Sequence, residues 1–72
     1  MKYLVLYGQT ANGYSAHAPD LPGCIAAAAT LEETRQLMKE AIEFHLEGMR
    51  LHGEQIPETR TIGEEVEVPA PA

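Results

Sequence analysis

The sequence predicts a single small α+β domain in the order β-β-β-α-β, an antiparallel sheet with one long helix packed on one face. An Asn-Gly pair, Asn12-Gly13, separates two short runs of strand formers. A Thr-x-x-Glu start at Thr30 opens a stretch of helical periodicity that runs to about Leu51. Near the end, Val66 and Val68 alternate with Glu65 and Glu67, the period of a half-exposed strand.

Lys2 to Tyr7 reads as the first strand, with Tyr3, Val5 and Tyr7 on one face and Leu4 and Leu6 on the other. Both faces are apolar, so a central strand is expected. Asn12-Gly13 then predicts a hairpin, because both residues tolerate positive φ. In the second strand Tyr14, Ala16 and Ala18 face one way, Ser15 and His17 the other. Pro19-Asp-Leu-Pro-Gly23 breaks regular structure, since two prolines remove donors and Gly23 allows a left-handed turn. Cys24 to Ala28 favours helix by propensity alone. A helix that begins at Thr30 instead makes this run a third strand, its side chains small so that the helix can approach closely.

From Leu31 onward, Leu31, Thr34, Met38, Ala41, Ile42, His45, Gly48 and Met49 share one helical face. Glu32, Glu33, Glu40, Glu43 and Glu47 lie on the opposite one, with Leu37, Phe44 and Leu51 on a flank. Gly53 is the expected stop and Pro57 begins a connector. The Val66–Val68 segment is the expected fourth strand, at an edge, and the prolines from Pro69 discourage further pairing.

The chain has 72 residues, expected to form one domain over 1–72 with an ordered core at about 2–68 and a tail at 69–72. A chain this short buries only about 60% of its unfolded surface. Ten alanines and four aromatic residues (Tyr3, Tyr7, Tyr14, Phe44) thin the core further, so association as a homodimer or homotetramer is expected. No run approaches the roughly 20 apolar residues of a membrane span, and the N-terminal run is too short for a signal peptide. One cysteine, Cys24, excludes an internal disulfide and a multi-cysteine zinc site. A reduced, cytoplasmic setting and no cofactor are expected.

The formal charge is −6, and all of it lies after residue 30. Nucleic-acid binding draws most of its non-specific affinity from clustered Lys and Arg, which this chain lacks. Direct nucleic-acid binding is therefore not expected, whereas an acidic face suits a basic protein partner.

Tyr14-x-Ala16, then Pro19-Asp-Leu-Pro-Gly-Cys24, then Thr30-x-x-Glu33, with Ala41-Ile42, Gly53 and Ile56-Pro57 beyond, resembles the HicB-like antitoxin family. The resemblance spans about Lys2 to Pro57. It implies a fold like a truncated RNase H core and binding to a HicA-type toxin, a small basic mRNA interferase. Many family members add a C-terminal DNA-binding domain; none is expected up to Ala72, so operator binding is not carried over. Family members often place an acidic residue and a glycine where this chain has Ala28-Ala29.

Pro19, Pro22, Gly23 and Cys24 read first as a rigid connector, and Thr30, Glu33 and Gly53 as helix-end devices. The competing role for the loop is to project Asp20 and Leu21 into a partner. His17, on the polar face of its strand, is a further contact candidate. The acidic residues Glu32, Glu40, Glu43, Glu47, Glu65 and Glu67 are either a solvated surface or the complement of a basic toxin. His45 and His52 are seven apart, not the i, i+4 spacing of helical metal pairs, so His45 reads as a core or interface residue with one hydrogen bond and no metal site is expected. Cys24 with His17 lacks an orienting third group, so no catalytic residue is assigned.

The leading expectation is a non-enzymatic protein that masks a basic ribonuclease toxin. The alternatives are a weak metal-dependent nuclease of RNase H type, with Asp20, Glu32 or Glu33 as carboxylate ligands, and an oligomeric module without a toxin.

Overall fold

The computed structural model describes residues 1–71. Strands β1 (Leu6–Thr10), β2 (Gly13–His17) and β3 (Ile25–Ala28) form an antiparallel sheet in the order β1-β2-β3, followed by one helix, α1 (Leu31–Leu51).

The hairpin forms where Asn12-Gly13 places it, but for a different reason. Thr10 pairs with Gly13 across a two-residue loop, Ala11-Asn12, and none of these residues has a positive φ. Gly13 is required because the backbone of the third strand's end lies against it. A Cβ built there would overlap the Ala28 carbonyl oxygen and sit 3.0 Å from the Ala29 Cα.

Directly paired residues of an antiparallel sheet share a face. Tyr14 and Ala16 pair with Ala28 and Ala26 and point toward α1, while Ser15 and His17 pair with Ala27 and Ile25 and point away. The small residues expected beneath the helix are therefore there. Cα atoms of α1 come within 8 Å of Cα atoms in β2 and β3, and of none in β1.

Both ends of α1 stop as expected. Thr30 takes an extended conformation (φ −124°, ψ 157°), and its Oγ1 accepts the Glu33 N–H at 3.1 Å. The Glu33 carboxylate accepts from the Thr30 hydroxyl at 2.9 Å, so the reciprocal bond goes to the side chain and not to the Thr30 backbone N–H. Thr34, fully buried, satisfies its hydroxyl on the Thr30 carbonyl at 2.8 Å. At the other end Gly53 has φ +69°, and the Gly53 and Glu54 N–H groups donate to the Arg50 and Met49 carbonyls at 3.2 and 2.9 Å. That is a Schellman stop.

The core is thin. Ala16, Ala18, Leu21, Cys24 and Met38 are buried, with Tyr3, Val5, Ala26, Ala41, Ile42 and Leu46 packed around them. Leu21 and Met38 are the largest fully buried apolar side chains among the described residues.

Two expectations are corrected. The first strand begins at Leu6 and runs to Thr10, not from Lys2 to Tyr7, and it is an edge strand, not the central one. Pairing beyond Leu6–His17 would soon meet Pro19, which has no N–H to continue the ladder. The two apolar faces of residues 3–5 have another cause. Tyr3 and Val5 pack on the helix side of the core, and Leu4 meets Gly63, its methyl groups 3.2–3.4 Å from where a Cβ would stand. The second correction concerns the fourth strand: among the described residues after α1 there is none. The segment passes Tyr3, whose hydroxyl donates to the Pro57 carbonyl at 2.6 Å, and then leaves the sheet, with Val66 and Val68 74% and 71% exposed. Alternation prepares a strand, but a strand also needs a neighbouring edge, and this path meets none. The radius of gyration is 14.7 Å, against about 11 Å for a compact chain of this length, and the extents are 54 × 27 × 16 Å.

Candidate functional site

The Pro19–Gly23 loop is a clamped turn. Ala18 N–H donates to the Cys24 carbonyl at 3.2 Å, Leu21 N–H to Ala18 at 3.0 Å, and Cys24 N–H to Leu21 at 3.0 Å. These bonds drive the Leu21 side chain inward, to 1% exposure. Leu21 is therefore a core residue and not a projecting contact, a correction whose reason is this local bonding.

Asp20 faces outward but is engaged. Its carboxylate accepts the Arg60 N–H at 2.9 Å, the Thr61 N–H at 3.0 Å and the Thr61 hydroxyl at 2.7 Å. Hydrogen bonds from Thr61, then the Arg60 N–H and charge, hold its pKa below the usual value of 3.8. Because the folded pKa is depressed, this tether is fully present above the unfolded-chain value and is lost as pH falls through the lower folded one. Asp20→Asn is expected to speed amide exchange at Arg60 and Thr61 at pH 7, while the wild type reaches the same state only in acid. Unchanged exchange in the variant would refute the tether.

The helix acids differ in how free they are. Glu47 is held by Arg50, with Nη2 to Oε1 at 2.6 Å and Nε to Oε2 at 3.1 Å, and this pairing lowers its pKa. Glu40 accepts from Gln36 at 2.9 Å, and Glu32 stands 3.9 Å from Arg35. Glu43 makes no side-chain hydrogen bond or ion pair among the described residues. All four are exposed, as are Glu65 and Glu67 on the C-terminal segment. They do not form one cluster: the helix acids run along α1, whereas the last two lie on a segment with no regular structure.

His17 is exposed on the sheet face away from α1, between Leu6 and Ile25 of the neighbouring strands. His45 is half-buried and has no hydrogen-bond partner at its ring among the described residues, unlike the single bond expected for it. His52 instead contacts the Gly48 carbonyl through Nδ1 at 2.7 Å, at the helix end. No group of three or more His, Cys, Asp or Glu suited to a metal occurs among the described residues. Burial pushes the Cys24 thiol up from its usual 9.0, which disfavours the thiolate. No helix among these residues is long and apolar enough to cross a membrane.

Sequence reasoning missed two features. The Asp20–Thr61 tether joins residues 41 apart, and no local signal marks such a pair. The second is an exposed row of Leu37, Phe44 and Leu51 on α1, whose seven-residue spacing was legible although its exposure was not.

A family model described as HicB_like antitoxin of bacterial toxin-antitoxin system matches residues 3–71. The chain is 38% identical over 69 residues to an "Uncharacterized 14.9 kDa protein in rep-hol intergenic region" of Haemophilus phage HP1, covering 96% of this chain and 52% of that protein. It thus spans about half the length of the phage relative. A UPF0150 protein of Thermoplasma acidophilum, Ta0767, is 38% identical over 71 residues, covering 97% of this chain and 100% of its own length. A UPF0150 protein of Archaeoglobus fulgidus is 40% identical over 48 residues, covering 65% of this chain and 70% of the relative.

Proposed function

The chain belongs to the HicB-like antitoxin family of bacterial toxin–antitoxin systems, and from that membership we propose that it binds and neutralises a small basic HicA-type mRNA interferase. Family membership supports a regulatory binding role over a catalytic one. The observation that carries the finer reading is the charge distribution. The exposed carboxylates of α1 and of residues 64–67 give the second half of the chain a negative surface, and no basic cluster offsets it. A toxin that grips RNA through positive charge would be steered to such a surface and would lose access to its substrate once covered. Occlusion suffices, and no bond is broken.

Self-association belongs to the same proposal. The outer edge of β1 carries no charge, proline or bulge to discourage pairing, and Leu6 and Tyr7 are 43% and 40% exposed. The alternating Val66–Val68 segment supplies the complementary strand from a second copy. Sedimentation equilibrium tests both parts. The chain alone is expected to run as a dimer or tetramer, and Val66→Lys with Val68→Lys as a monomer. Mixed with a small basic HicA-type toxin, the chain is expected to form a complex that weakens as salt rises and in which RNA cleavage stops. A monomer at all concentrations would refute the self-association, and failure to bind that protein would refute the antitoxin reading.

A further inference from the structure

Leu37, Phe44 and Leu51 are 44%, 84% and 69% exposed and stand seven residues apart, so they form one row along α1. The row lies well away from the helix face that buries Thr34 and Met38. Large apolar side chains in a continuous exposed row mark an interaction surface.

The charges beside the row select its occupant. At ~100° per residue, Glu40 and Glu47 fall within about 60° of Phe44, and Glu43 about 100° away on the same side. Among the described residues, Glu47 alone of these three acids has a basic partner, Arg50. A second copy laid antiparallel about Phe44 would match Leu37 with Leu51, but would also bring this acidic flank against itself, which costs free energy. An anionic lipid surface would meet the same repulsion. A basic surface with an apolar groove satisfies both the row and its flank.

The geometry points to the Leu37–Phe44–Leu51 row as the anchor by which α1 docks on a cationic protein partner, with Phe44 seated in an apolar pocket and Glu40, Glu43 and Glu47 facing Lys or Arg at its rim. This assignment rests on the antitoxin reading for the partner's identity, but the surface is testable without it. Phe44 is almost fully exposed, so Phe44→Ser leaves the fold intact, which an unchanged thermal melt verifies.

With a small basic HicA-type toxin as the probe, Phe44→Ser is expected to weaken binding at least about tenfold, as loss of a central aromatic anchor does. Glu40→Gln with Glu43→Gln is expected to slow association and flatten its salt dependence. Equal affinity for wild type and Phe44→Ser would overturn the anchor while leaving the antitoxin reading standing. If that protein does not bind wild type at all, the antitoxin reading fails, and an amphipathic Leu/Lys helical peptide becomes the probe. Amide shifts centred on Leu37, Phe44 and Leu51, absent with a Leu/Glu peptide and lost in Phe44→Ser, would support the surface. No binding, or equal binding of the two peptides, would overturn it. Self-association abolished by Phe44→Ser would also overturn it, in favour of a second copy.

Discussion

Leu21→Ala is expected to destabilise the domain by about 2–5 kcal/mol, the range for truncating a fully buried leucine. Leu21 is 1% exposed, and only Met38 matches it among large buried apolar side chains of the described residues. A small domain holds about 0.05–0.15 kcal/mol of stability per residue, so for 72 residues this loss is a large fraction of a total of about 4–11 kcal/mol. The loop offers no route to collapse around the cavity, because Ala18, Leu21 and Cys24 are bonded to one another in a closed circuit. Each kcal/mol lowers the melting midpoint of a domain this size by about 4–8 °C, which calorimetry or circular dichroism reads directly. Leu51→Ala, at a position 69% exposed, is the control and is expected to stay within about 0.5 kcal/mol of wild type. Similar midpoints for the two variants would mean that Leu21 does not face the core.

Gly13→Ala is expected to cost about 1–3 kcal/mol by overpacking, more than its modest change in size suggests. The obstacle is backbone, the Ala28 carbonyl and the Ala29 Cα, and neither can swing aside as a side-chain tip would. Relief requires β2 and the end of β3 to separate just before the Thr30 cap, so loosened amide protection should appear at Ala28 and at the first turn of α1. Because Asn12 does not take a positive φ, Asn12→Ala should be far milder. If both variants melted alike, turn conformation and not close approach would be the reason for the glycine.

How much of this was legible follows from the range over which each feature is encoded. The Leu31–Leu51 helix was readable to its ends, because periodicity, the Thr30 cap and Gly53 all act within a few residues. The hairpin was equally local, although its glycine serves packing. The extent of β1 was not legible, since Tyr3-Leu4-Val5 satisfies a strand pattern while its side chains bury against α1 and residue 63. Leu21 and Asp20 are adjacent, yet one enters the core and the other tethers residues 60–61. Nothing in Pro-Asp-Leu-Pro-Gly assigns those directions without the loop's closing bonds. The acidic residues of the candidate surface were countable from the start. Their separation into a helical row and an outlying segment required the fold.

The elongated outline has a practical consequence. A 7.9 kDa particle measuring 54 × 27 × 16 Å drags more solvent than a sphere of equal mass, so it elutes early from a sizing column. A lone protomer would then mimic a pair on a globular calibration curve. Stoichiometry for this molecule must come from methods that weigh particles without assuming their outline.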